Sequence, residues 1–360
     1  MSEQKKFELG VVTFADNGLD FDGENPLFTP QERMKNLIEE AELADQLGLD
    51  VFGVGEHHRD DYVVSSPTTA LAAIAARTEN IRLTSAVTVL SSADPVRTYE
   101  EFATVDLISG GRAEIMAGRG SFTETFPLFG QSLDDYDELF LEHLQLLLNV
   151  RENEIVTWEG KHRPDIDGRG VYPRALQQPL PVWIAVGGSP ESVARAGLMG
   201  LPLTIAIIGG THDRFVPLVE LYRRASEQAG HGELPLGINS HVFVSESSTA
   251  IDDYYDYYAP GMTRIGRERG WPPMTRDDFE ARIAGGGIPW IGHPEEIAER
   301  IVNSYDLFGN SRFLIQSSIG RMPHDVALKS IELFGTKVAP LVREEVAKRS
   351  VRTLAQPSSA

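Results

Sequence analysis

Residues Gly53–Arg59, GVGEHHR, place one carboxylate and two adjacent imidazoles directly after an apolar run. Imidazole titrates near neutral pH and can move a proton either way, and a carboxylate beside it can orient it. Three readings suit such a group: a metal site, ordinary solvated histidines at a loop start, or the rim of a catalytic site. In extended backbone successive side chains alternate, so Glu56 and His58 share one side and His57 faces the other. Adjacent histidines therefore do not readily ligate one metal. There is no H-x-H at the end of the first strand, no H-E-x-x-H and no cysteine, so no metal is expected. The reading favoured is a catalytic or ligand-orienting role for this group.

Two further stretches could hold an anion. MAGRGSF (116–122) sets Arg119 between Gly118 and Gly120. Glycines admit a ligand close to the backbone, and arginine can grip a phosphate with two parallel bonds. Taken alone, GRG is equally a turn with a surface arginine, and it lacks the third glycine of a dinucleotide fingerprint. AVGGSPES (185–192) offers Ser189 as an N-cap and Pro190 at the first helical position, behind Gly187 and Gly188. The free N–H groups and dipole of such a helix start attract anions, although capping needs no ligand. Together the two stretches read as a phosphate clamp. LTSAVTVLSSADPVR (83–97) has Ser85 and Ala86 to leave room for a flat ligand, and Val87 and Val89 to line it; a plain buried strand fits as well. No G-x-S-x-G, P-loop or cysteine nucleophile is present.

These stretches sit at corresponding points of a repeated cadence. Strand-like runs at 7–14, 50–57, 81–90, 112–120, 181–188, 201–209, 234–244 and 312–319 alternate with amphipathic segments at 31–48, 94–109, 137–149, 294–309 and 325–349. The last of these is expected to break at Pro340. Strand–helix alternation implies parallel pairing and right-handed crossovers. Eight units favour a closed (β/α)8 TIM barrel, an α/β fold, over a doubly wound open sheet, and place the candidate residues on its active C-terminal face. Two insertions are expected. One follows strand 4, with a hairpin-like excursion over 151–180; the other, an aromatic and glycine-rich loop over 254–292, follows strand 7. Residues 1–350 read as a single domain and 351–360 as a frayed tail.

The composition limits the function classes. The 360 residues are 41% hydrophobic and 24% charged, enough for a large core. A formal net charge of −20 argues against a nucleic-acid or anionic membrane surface. The opening MSEQKKFELG lacks the apolar stretch of a secretory signal, and no apolar run spans a membrane, so a cytoplasmic location is expected.

EEAELADQLGLDVFGVGEHH, IRLTSAVTVLSSADPVRTYEEFATVDLISGGRAEIMAGRGSF and PVWIAVGGSPESVARAGLMG, in this order, resemble the bacterial luciferase-like monooxygenase superfamily of flavin-dependent oxidoreductases over nearly the whole chain. The resemblance implies a barrel that binds FMN, or in some branches the deazaflavin coenzyme, at the C-terminal strand ends. It makes His57 the catalytic histidine with Glu56 beside it, and Ala86-Val87 a non-proline cis peptide against the flavin ring. Gly118, Arg119 and Ser121 become cofactor contacts, with Arg119 on the phosphate, and Gly187-Gly188-Ser189 the phosphate turn. Luciferase itself carries a cysteine where Gly118 stands and a glutamate where Gly187 stands, so light emission does not follow. The resemblance further implies reduced FMN and O2 as co-substrates and a small apolar substrate. A separate NAD(P)H:flavin reductase, a homodimer, and a mobile cover formed by 254–292 are also implied. The alternatives are deazaflavin-dependent hydride transfer and a flavin-binding protein without catalysis.

Overall fold

The computed structural model describes residues 6–120, 122–316 and 318–355. Eight strands form the barrel: Glu8–Thr13, Val51–Val54, Arg82–Ser85, Ala113–Gly118, Val182–Val186, Leu203–Ala206, Leu236–Val244 and Arg312–Gln316. Each pairs in parallel with its neighbours, and the eighth pairs with both the first and the seventh, which closes the ring. The eight sequence runs thus become the eight barrel strands, and the open sheet is excluded. None of the helices among the described residues is long and apolar enough to cross a membrane.

Local signals set the helices around the ring. Thr29 and Glu32 form a reciprocal capping box ahead of Pro30–Gln46. Asp94 accepts from the N–H groups of Val96 and Arg97 at 2.9 and 3.0 Å, with Pro95 at the first turn, so Pro95–Ser109 starts where Asp-Pro predicts. Gly110, at φ +71°, ends it. At the N-terminal end of the barrel, the Arg312 guanidinium binds both oxygens of Glu114 at 2.5 and 3.1 Å and Glu8 at 2.8 Å, and lies 4.0 Å over the Trp183 ring. This charged floor fills the bottom of the barrel. Above it Val12, Val51, Met116, Trp183 and Leu314 make an apolar layer, with Ala86, Val87 and Ala185 packed on it. The side chains become smaller towards the C-terminal end, which leaves space there.

Three expectations need correction. The stretch 254–292 is not a loop: it holds helices Ala250–Glu268 and Arg276–Ala284 and the short strand Trp290–Gly292. Ala250, Tyr254 and Tyr258 recur at helical spacing on a buried stripe, and Tyr254 stacks on Phe243 at 5.1 Å and on Tyr258 at 5.3 Å. This burial outweighs the helix-breaking tendency of Pro260 and Gly261. The last helical segment is interrupted by π-helical turns at Phe334–Val338, ahead of Pro340, which sits at the second position of Ala339–Ala355. The run 81–90 is split into Arg82–Ser85 and a two-residue strand, Thr88–Val89, around the cis peptide Ala86–Val87. Between the fourth and fifth barrel strands lie helix Tyr136–Glu152 and an antiparallel hairpin, Ile155–Trp158 with Ile166–Gly170. The final helix runs to Ala355.

Candidate active site

A cavity of about 360 Å³ opens at the C-terminal end of the barrel. Its volume lies in the range that small-molecule sites occupy, and its walls are mainly apolar. Glu56, His57, Ala86, Val87, Gly118, Arg119, Gly187, Gly188 and Ser189 all line it. Ser121 lies outside the described residues. Four strand ends deliver those groups, while Val12, Thr204, Asn239 and Leu314 complete the wall from the other four.

His57 is held by rings. It is 5% exposed, stacks on Tyr62 at 4.2 Å, and meets Phe14 at 4.6 Å and Phe122 at 5.6 Å. Its backbone N–H donates to Val64 O at 2.9 Å, and its Nδ1 is buried with no hydrogen-bond partner among the described residues. Burial pushes its pKa down to about 3, with Asp61 pulling the other way. The ring is therefore neutral at pH 7, with one N–H to donate and one lone pair to accept. An anion placed beside it would raise its proton affinity.

Glu56 does not orient His57. Its Oε1 faces His58 Nε2 at 3.2 Å, and its Oε2 accepts from the Val89 N–H at 2.9 Å. Strand alternation places Glu56 and His58 together, so the carboxylate braces the segment after the cis peptide instead. His58 is absent from the cavity lining.

The anion end has a direct link across two strands. Arg119 Nη2 donates to Ser192 Oγ at 3.0 Å, Nη1 pairs with Asp137, and the guanidinium lies 4.8 Å over the Tyr136 ring. Ser189 caps helix Pro190–Leu198 by accepting from the Ser192 N–H at 3.3 Å. A Cβ built on Gly187 or Gly188 would meet nothing within 4 Å, so the turn is open. A Cβ on Gly118 would stand 2.8 Å from Val87 Cγ2, so this close packing needs glycine. Arginine, a hydroxyl, a bare turn and a helix start form a donor set suited to a phosphate monoester. The small-residue wall beside it suits a flat ring.

Sequence reasoning missed Ser192, Tyr136, Thr204 and Asn239. Ser192 was findable, because the third helical position faces the same anion as the cap. The other three needed knowledge of which face of each element turns inward. Segment 254–292 contributes no residue to the cavity lining and reaches the site only indirectly: Arg269 lies 5.7 Å from the Phe122 ring, which packs on His57. Among the described residues, one trio has metal-ligand spacing, Asp135, Glu138 and His162; Glu138 is exposed and already pairs with Lys161 and His162.

A family model described as luciferase-like monooxygenase matches residues 7–311. The alkanal monooxygenase alpha chain of Photorhabdus laumondii subsp. laumondii is 26% identical, over 89% of this chain and 95% of its own. The oxygenating constituent of 3,6-diketocamphane monooxygenase from Pseudomonas putida, a type II Baeyer–Villiger enzyme solved with FMN, superposes with a TM-score of 0.75 at 18% identity, over 93% of this chain and 98% of its own. The coenzyme F420-dependent tetrahydromethanopterin reductase from Methanopyrus kandleri gives a TM-score of 0.68 at 19% identity, over 93% and 99%. At those identities the two structures establish a shared barrel and nothing finer.

Proposed function

The chain belongs to the luciferase-like monooxygenase family, and from that premise we propose that it is an FMN-dependent monooxygenase that uses reduced flavin and O2 on a small apolar organic substrate. The observation that carries the reading is the Arg119–Ser192 contact at the rim of an apolar cavity that also holds His57. Bound FMN would supply the two-electron chemistry with oxygen. Arg119, Ser192 and the Gly187–Ser189 turn would hold its phosphate, and Ala86, Val87 and Gly118 would face its ring. His57 would hold an N–H or a lone pair against an oxygen atom in the cavity, and Phe14, Tyr62 and Phe122 would keep water from it. A separate reductase would provide the reduced flavin.

One feature favours FMN over the deazaflavin coenzyme. Two carboxylates stand beside Arg119: Asp137, which pairs with it, and Glu191, whose pKa it helps to lower. The deazaflavin coenzyme bears further carboxylates past its phosphate, and these would meet like charges there. A carrier without catalysis is disfavoured by His57, a polar ring buried at the cavity wall with one nitrogen unpaired.

The test compares binding of FMN, riboflavin and the deazaflavin coenzyme, then oxygen-dependent turnover of reduced FMN. FMN should bind tightest. His57→Gln should keep FMN binding and lose most of the oxygen-dependent turnover, by about 100-fold or more. Turnover at the wild-type rate in His57→Gln would remove the catalytic assignment. Tighter binding of the deazaflavin coenzyme than of FMN would replace the cofactor.

A further inference from the structure

We propose that Asp137 is a built-in competitor for the ligand phosphate at Arg119, so that the flavin is held loosely enough to exchange between turnovers. The proposal rests on the reading of Arg119 as the phosphate contact.

The guanidinium of Arg119 already uses two donor arms. One goes to Ser192 Oγ at 3.0 Å, and the other goes to the Asp137 carboxylate. The Tyr136 ring, 4.8 Å away, fixes the plane of the group. A phosphate gripped by two parallel bonds needs adjacent donors of the same guanidinium. It must therefore displace Asp137 or sit beside it, and a second anion at that distance is repelled. Either way Asp137 subtracts from phosphate affinity.

The surroundings give Asp137 this role and spare its acidic neighbours. Its side chain is 71% exposed on the first turn of helix Tyr136–Glu152, so swinging into water costs little. Glu138 is held by Lys161 and His162, and Glu191 accepts from Ser189 Oγ at 3.0 Å. Among the described residues, the Asp137 carboxylate is hydrogen-bonded to Arg119 alone. The helix start Tyr136–Glu152 thus presents a ring and an acid to one arginine at once. The ring holds the guanidinium in place whether or not ligand is present, and the acid occupies it in the ligand's absence. A flavin that arrives reduced and leaves oxidised in every cycle needs both an ordered site and a weak grip, and this pair of neighbours supplies them.

The experiment titrates the full chain with FMN and with riboflavin, following flavin fluorescence, for wild type, Asp137→Asn, Asp137→Ala and Arg119→Gln. Both Asp137 variants should bind FMN about three- to tenfold more tightly and release it correspondingly more slowly, with riboflavin affinity unchanged. The gain should shrink as salt is raised, because the interaction is exposed. Unchanged or weaker FMN binding in both Asp137 variants overturns the proposal, since Asp137 would then be idle or would serve to aim Arg119. An equal gain for riboflavin overturns it too, because the effect would not act through the phosphate. Arg119→Gln separates the underlying reading: it should erase the preference for FMN over riboflavin. If that preference survives in Arg119→Gln, Arg119 is not the phosphate contact, and both statements fall together.

Discussion

At the scale of single residues, the site depends on what is small as much as on what is reactive. Gly118 ends the fourth barrel strand against Val87, and a methyl group there would stand 2.8 Å from Val87 Cγ2 and 3.0 Å from Val87 Cβ. Neither contact can persist, so Gly118→Ala should push Val87 into the cavity. The expected result is a folded protein, destabilised by about 1–3 kcal/mol as overpacked sites are, with flavin affinity reduced at least about tenfold. Flavin titration with thermal unfolding checks both; unaltered affinity would mean that Val87 is not part of the binding wall. Gly118, Arg119 and the Gly187–Ser189 turn were legible because glycine beside arginine, and glycine before a cap, are local patterns. Tyr136 and Ser192 were not, because their meaning comes from facing Arg119 across an insertion and a crossover. The pairing of Glu56 with His58 followed from strand alternation alone, yet the resemblance pulled the carboxylate towards His57.

At the scale of elements, the eight strands could be read because each is an apolar run bounded by turn residues, while helix Ala250–Glu268 was hidden by its Pro260 and its glycines. Periodicity at Ala250, Tyr254 and Tyr258 was the signal that composition obscured. Charge ties this helix to the segment after the second strand. Asp61, fully buried, accepts from Arg59 Nε at 2.9 Å and from Arg264 Nη2 at 2.7 Å, and Arg59 continues to Glu268 at 2.5 and 2.8 Å. Burial alone would raise the Asp61 pKa, but the two guanidinium groups outweigh it and hold it below its ordinary value. Asp61→Asn leaves two cations facing a neutral amide. The variant should lose roughly 3 kcal/mol, and backbone exchange across 254–268 should quicken while the barrel strands stay protected. Glu268→Gln, at a half-exposed end of the same chain of contacts, should have a far smaller effect. Equal exchange in wild type and Asp61→Asn would show that the tyrosine stripe holds the helix by itself.

At the scale of the whole molecule, the balance of buried titratable groups sets the response to acid. Burial pushes His57 and His241 down to about 3 and His212 down to about 4, against an ordinary value of 6.5. All three are neutral in the fold at pH 5, where the unfolded chain protonates them, so their contribution is complete above pH 6.5 and is lost as pH falls towards 3–4. Asp16 acts in the opposite sense. Burial raises it to about 6 from 3.8, so the fold keeps its proton where the unfolded chain has released it, and its contribution is lost as pH rises through 6. Near pH 5 the three histidines outweigh the one aspartate, and unfolding takes up about two protons from these groups. Stability should therefore fall on acidification from pH 6.5 to 4.5 at roughly 3 kcal/mol per pH unit, against the small shift that screening of the −20 surface charge would produce. Urea midpoints at fixed ionic strength measure the slope directly. Asp16→Asn removes the opposing group and should steepen the profile towards three protons; the amide keeps one acceptor oxygen, so one of the Gly18 and Gly320 N–H groups, now at 2.7 and 3.0 Å, loses its partner, and the stability lost should be largest at acid pH, where the native carboxyl is neutral. A midpoint that does not move between pH 5 and 7 would mean that the barrel admits water to these histidines, and with it that the cavity wall around His57 is not closed in the way the ring contacts indicate.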